Sequence, residues 1–435
     1  MDIIPCYDSG PNETIHLASD IAVVRWDGED CESPADVLLV FQPTARLTIE
    51  TKIQDKFYLT LPPVDALKLK ERDIDVPGFV TGWAPMLDGS GSSMNLTWGP
   101  SPTPITGLGS DSTEMETIIF HIFNFLDVIG TPRSTEEIDN HPPGIQHINL
   151  ESKEWKVDLR SLSSTKDVLS ALNGQGGYGI THIGGVRKRD GSSFPGAAAN
   201  EVLLCLHLFL SFAKGGRCEF LSVGFNSHGN RVWESWDAPS ERWQSQLSWF
   251  DAHHAEQLVG LFPGFCDRLA DDNWEEAIRE AIYWYILSNR TPGIDGGIIL
   301  SQAAIERLSF EYSVNDKRLI DKEGFVKLRA SDRMRLIFSS LNIPLEIPDM
   351  LPVTQQLASK FGWVDAPHAL TEVRNSFVHP VHRRRGQFKG ATPEIWKLGL
   401  QYLEWVILRL CKYEGTYGNR LKVRWTGEVE DVPWN

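Results

Sequence analysis

Arg374, Asn375, Ser376 and His379 bring a guanidinium, an amide, a hydroxyl and an imidazole into six residues, and Pro380 follows at once. This combination suits phosphodiester chemistry. A guanidinium is a permanently charged fork matched to phosphate oxygens, and an imidazole with an ordinary pKa of about 6.5 can give or take a proton near neutrality. The reaction would be attack of an RNA 2'-hydroxyl on its own phosphate. His379 would act as base or acid, Arg374 would stabilise charge on the phosphorane, and Asn375 would orient the imidazole or hold the phosphate. Neither a metal ion nor a cofactor is called for. The products would be a 2',3'-cyclic phosphate and a 5'-hydroxyl, and DNA, lacking the 2'-hydroxyl, would be spared. Just downstream, His382, Arg383, Arg384, Arg385 and Lys389 share a stretch with Gly386 and Gly390, where cations could follow a phosphate backbone. Trp396 is a lesser candidate for stacking on a base.

An Arg and a His five apart are expected about 0.7 times in a shuffled chain of this composition, and with Asn directly after the Arg roughly 0.03 times. Positioning must come from a helix that ends at Val378. Its apolar residues Leu370, Val373 and Phe377 fall at i, i+3 and i+7, which defines a buried stripe and turns Asn375 and His379 outward. Pro380 disfavours helical geometry at His379 and makes the chain turn there. An Arg and a His five apart stand about 140° apart on a helix, so two copies facing across a two-fold axis would assemble the site more easily than one. A structural reading stays open beside this one: His379 capping carbonyls, with Arg374 paired to Glu372 or Glu306.

The bundle that would carry this helix begins near residue 255. Helical spacing recurs over 274–289, 298–312, 331–341, 353–361, 367–378 and 393–413, giving six short-linked helices. Upstream, short alternating apolar runs broken by Gly, Pro and Asp read as strands. Residues 114–128 fit either helix or strand, 202–213 a buried helix, and 218–225 with 231–236 a hairpin turning at Asn226–Gly229. The chain is therefore expected to be an α+β multidomain protein. A β-rich N-terminal domain, sandwich- or barrel-like, spans 1–255 in one lobe or in two (1–145 and 146–255), and an all-α bundle spans 256–435.

Composition sets the outer limits. The chain has 435 residues, 41% of them apolar and 10% aromatic, as expected of folded domains rather than disorder. The N-terminus opens on an acid where a secretory signal needs basic residues, and no apolar run reaches membrane-spanning length, so a cytoplasmic location without membrane contact is expected. Six cysteines without a C-x-x-C pair indicate neither a zinc ribbon nor a disulfide framework. The net charge of −16 argues against a polyanion partner until its distribution is considered. Residues 274–435 hold 22 Lys and Arg against 20 Asp and Glu, whereas residues 1–273 hold 20 against 38. Any RNA-binding surface therefore belongs to the C-terminal part.

Other motifs read as structural. Gly174-Gln-Gly-Gly-Tyr-Gly179 matches G-x-G-x-x-G but leads into a strand instead of a helix, so it is a turn. Asp251-Ala-His-His-Ala-Glu256 has metal-ligand types without a second cluster and reads as the start of a surface helix. Trp233, Trp236, Trp243 and Trp249 read as core or interface residues.

Arg374-Asn375-Ser376-Phe377-Val378-His379-Pro380 resembles the Arg, polar residue, spacer, His signature of HEPN domains. The flanking runs Trp274–Trp284 and Ile299–Leu308 resemble the HEPN domains of ApeA-like abortive-infection proteins, and the similarity extends over about residues 274–415. This resemblance implies an HEPN-like bundle, a metal-independent endoribonuclease acting as a homodimer through that bundle, and a role in antiphage defence or as a toxin. Arg374, Asn375 and His379 would be the catalytic residues, and Arg383, Arg384, Arg385 and Lys389 would bind RNA, with tRNA among the candidate substrates. The acidic N-terminal domain would sense a trigger, such as a phage-derived protein. The alternative is a non-catalytic HEPN dimerisation or RNA-binding module in a ligand-sensing protein.

Overall fold

The chain is described by a computed structural model that covers residues 3–129 except 57, 61, 89 and 90, residues 147–379 except 291 and 292, and residues 386–434. Alternation of apolar and polar residues builds the first layer. Strands β1 (Ile15–Trp26), β2 (Glu29–Val40), β3 (Arg46–Gln54), β4 (Val64–Leu69), β5 (Ile74–Asp75), β6 (Gly78–Asp88) and β7 (Gly91–Pro100) form an antiparallel sheet in the order β5-β4-β1-β2-β3-β7-β6. Asp27 and Gly28, both at positive φ, make the two-residue turn that sets Trp26 opposite Glu29. Val24, Trp26, Val37, Leu39, Ile49, Leu96 and Trp98 are buried on its inner face.

The second layer draws on strands β8 (Ile105–Leu108), β9 (Glu114–Met115), β10 (Thr117–Phe123), β11 (His147–Glu151), β12 (Trp155–Ser161), β13 (Ile180–Lys188), β14 (Phe194–Pro195), β15 (Phe220–Phe225) and β16 (Arg231–Trp236). Seven of them form a sheet in the order β11-β12-β13-β10-β15-β16-β8, and β9 pairs with β14. A division between lobes near residue 145 is therefore corrected. β8 and β10 already belong to the second sheet, and the change of sheet falls between Pro100 and Ile105. The stretch that fitted either helix or strand is strand β10. It lies between β13 and β15 with both faces covered, which is why it reads as a continuous apolar run instead of an alternation.

The two sheets pack face to face. Phe123, Leu221, Val223 and Trp236 of the second sheet share a core with Trp26, Leu39 and Trp98 of the first, so the β-rich part is sandwich-like. Helix α1 (Thr165–Gln175) crosses between β12 and β13, ending at Gly176 and Gly177 in positive φ, which confirms the glycine-rich motif as a turn. The outer face of the second sheet receives α2 (Gly196–Lys214). Among the described residues α2 alone has the length and apolarity of a membrane-crossing helix, but here it is a core element. Phe209 meets the rings of Phe262 and Phe265 at 5.1 and 5.4 Å, and Phe212 stacks on Trp249 and meets Tyr285 edge-on.

The C-terminal part is helical: α3 (Ala255–Leu269), α4 (Glu275–Asn289), α5 (Ile294–Phe310, continued by a π-helical turn Glu311–Asp316), α6 (Lys322–Lys327), α7 (Ala330–Ser340), α8 (Pro352–Phe361), α9 (Ala366–Val378) and α10 (Thr392–Leu410). The six expected helices are present, with α3 and α6 in addition. Strands β17 (Thr416–Tyr417) and β18 (Glu430–Asp431) pair after α10. α5 lies against α4, α7, α9 and α10. One continuous apolar core runs from β10 and β12 through α2 into α4, α5 and α10, so the sandwich and the bundle are joined by shared burial as well as by the chain.

Candidate functional site

Helix α9 is fixed at its start by charge and at its flank by close packing. The Asp365 carboxylate accepts the His368 backbone N–H at 2.9 Å as an N-cap, and it receives Arg335 of α7 through Nη2 at 2.9 Å and Nε at 2.5 Å. Leu370 and Val373 are buried and Phe377 is half-buried, as their spacing predicts, while Ala366, Ala369 and Ser376 widen the stripe. α10 approaches closely at Gly399, where a Cβ would stand 2.7 Å from Ser301 Oγ of α5 and 3.4 Å from Leu370 Cδ2.

The far end of α9 carries the candidate groups. His379 is in extended geometry (φ −100°, ψ 109°), as the following proline requires, and its N–H still donates to the Asn375 carbonyl at 3.1 Å. Its side chain is exposed, and no hydrogen bond to the ring exists among the described residues. Arg374 is half-buried. Its Nη1 donates to Asn375 Oδ1 at 3.3 Å, and its Nε is buried without a partner among the described residues. Asn375 thus directs its side-chain oxygen to Arg374, and no hydrogen bond brings the Arg374 guanidinium to the His379 ring within the described chain. Glu306, the remote partner in the structural reading, is taken by Arg333 at 2.9 Å and by Gln302 at 2.9 Å.

Arg383, Arg384 and Arg385, with His382, lie outside the described residues. Lys389 is exposed in the short 3-10 turn Lys389–Ala391. Just before it, Phe388 is buried edge-on against Phe361 and Trp363, ring centroids 5.2 Å from each, which pins the chain where it returns to the bundle. Trp396 is no stacking platform: it is half-buried, donates its Nε1–H to the Ser288 carbonyl at 2.7 Å, and lies so close over Gly297 that a Cβ there would meet the indole at 2.8 Å.

Three further clusters have the residue types of a site and structural roles. Asp251 is buried, not a surface residue; it accepts the N–H groups of His253 and Gly427 and pairs with Arg424 at 2.8 Å, so it fastens the chain terminus. Ser19, His16 and Asp36 meet on the first sheet, but the serine and the aspartate both contact the same ring nitrogen, Nε2, at 3.1 and 3.0 Å. A proton relay needs both ring nitrogens, one toward each partner. Sequence reasoning missed the third cluster. Arg420 and Glu404, both fully buried, form an ion pair joined by Tyr285 Oη at 2.6 Å from Glu404, with Arg420 also donating to Asn289 and to the Leu247 carbonyl. Burial, and then the Glu404 charge, drive the Tyr285 phenol well above its ordinary range, so it stays a donor. No group of three or more metal-ligating side chains occurs among the described residues.

Comparison with known proteins divides the chain where the fold does. Residues 110–245, which carry most of the second sheet and α2, match the model of the YopA central domain, and residues 271–431, the bundle from α4 onward, match that of the YopA C-terminal domain. Both matches are to YopA. The chain is also 26% identical over 430 residues to the SPbeta prophage-derived uncharacterized protein YopA of Bacillus subtilis (strain 168), an alignment covering 97% of this chain and 95% of that one. The similarity therefore includes the first sheet, which neither YopA domain match reaches. No solved structure matches.

Proposed function

We propose that the helical bundle is a metal-independent, HEPN-type endoribonuclease with its site at the C-terminal end of α9, governed by the β-rich layers and serving antiphage defence. The observation that carries this reading is the state of the two groups. An exposed imidazole stands just beyond the last turn of a helix whose half-buried Arg374 has no partner for its Nε–H among the described residues, beside the basic run 382–389 of the sequence. The 2'-hydroxyl would lose its proton to one imidazole and the leaving 5'-oxygen would gain one from another, with Arg374 on the phosphorane. Since no hydrogen bond joins Arg374 to His379 among the described residues, the working site would be composite, assembled from two bundles across a two-fold axis.

The lack of an Arg374–His379 hydrogen bond among the described residues also favours a second reading, in which the bundle pairs with a second copy or binds RNA without cutting it. One experiment separates them. The purified chain is incubated with tRNA and with total RNA in EDTA, beside Arg374→Ala and His379→Ala, and product ends and binding are measured. Cyclic phosphate and 5'-hydroxyl ends that vanish in both variants support the nuclease. Salt-dependent binding with intact RNA supports the second reading.

A further inference from the structure

Cys205 of α2 and Cys266 of α3 lie with their sulfurs 3.5 Å apart, although 61 residues separate them in the chain. Both are reduced and partly accessible. They line a cleft of about 850 Å3, bordered also by Trp155, Asp267, Arg268 and Lys412, that opens between the β11–β12 turn and the start of the helical bundle. Across its mouth, Lys153 of that turn pairs with Asp267 of α3 at 2.7 Å. A small oxidant therefore has a route to the pair from solvent.

We propose that Cys205 and Cys266 form a redox-responsive dithiol that a peroxide closes into a disulfide, tying the sandwich's helix α2 covalently to α3. The Cys266 sulfur attacks a peroxide oxygen, the O–O bond breaks, and one oxygen leaves as water while Cys266 becomes a sulfenic acid. The Cys205 sulfur then attacks the Cys266 sulfur, the S–O bond breaks, and the hydroxyl departs as a second water carrying the Cys205 proton. The two sulfurs together lose two electrons and the peroxide gains them. Cys205, whose thiol the contact with Cys266 and then burial hold well above its ordinary range, is the second sulfur to react. Cys411, buried deeper and pushed up to about 12 by burial, stays out of the exchange.

The test uses the intact native chain. It is treated with hydrogen peroxide, alkylated without reduction, digested and mapped by mass spectrometry, with thermal unfolding recorded before and after. The expected result is a linked peptide pair holding Cys205 and Cys266, restored to free thiols by dithiothreitol. The thermal midpoint should rise on oxidation, and it should not rise in Cys205→Ala. Recovery of both cysteines as free thiols, as separate sulfinic acids, or linked through Cys411 instead would overturn the proposal. This outcome is independent of any nuclease activity, because it is read on the peptides.

Discussion

At the residue scale the molecule separates groups that hold the fold from groups left facing solvent. Arg420 and Glu404 belong to the first kind. Replacing Arg420 alone with Met strands a buried carboxylate and should destabilise the protein by about 3–5 kcal/mol in urea unfolding, whereas changing both Arg420 and Glu404 to apolar residues should recover most of the loss. His379 belongs to the second kind. On the proposed nuclease reading, His379→Ala should leave the unfolding midpoint within experimental error while lowering RNA cleavage by about 100-fold or more; a large fall in stability would show the imidazole to be structural. The difference in legibility between the two sites is physical. Arg374 to His379 is local, and its exposure follows from the helical period and Pro380. Arg420, Glu404, Tyr285 and Asn289 meet only after α4, α10 and the terminal segment have packed, and no spacing along the chain announces that.

At the element scale, backbone approach decides which helices can touch. The sequence hides α3, because Pro263 and Gly264 lie inside it and together look like a stop. The glycine is there for tertiary reasons: a Cβ at Gly264 would fall 1.8 Å from the Cys411 carbonyl oxygen at the end of α10. Gly264→Ala must push α3 and α10 apart, and a cost of about 1–3 kcal/mol or more is expected by chemical denaturation. The same displacement should slow disulfide formation at Cys266, two residues further on. By contrast the start of α9 is legible, because Asp365 and Pro367 are ordinary start signals, but the grip of Arg335 on Asp365 is not.

At the scale of the whole molecule, two buried imidazoles make the sandwich acid-sensitive. His121 is held near the sheet centre, its Nε2 accepting the Cys6 and Tyr7 N–H groups, and burial lowers its pKa to about 4; burial alone lowers His182 to about 3. Both folded values lie below the unfolded one of about 6.5. Their stabilisation is thus complete above that pH and is lost as pH falls through it toward 4 and 3. Asp237 acts in the opposite sense, since burial and then Glu219 raise it to about 7 and the folded state resists its ionisation as pH rises. The imidazoles of His121, His182 and His207 outweigh the raised carboxyls of Asp237 and Glu234, so the thermal midpoint should fall between about pH 6.5 and 4, and His182→Phe should flatten that fall. A midpoint that stays level in the native chain across this range would contradict the assignment. The sequence by itself determined the α+β order, the buried α2, the β15–β16 hairpin, the helices α4, α5 and α7 to α10 and the solvent-facing end of α9, because all of these follow from periodicity and turn chemistry within short windows. Only the tertiary structure decided that β8 and β10 join the second sheet, that one core fuses sandwich to bundle, and that Cys205 meets Cys266, because pairing between distant segments is chosen by packing, which no local pattern encodes.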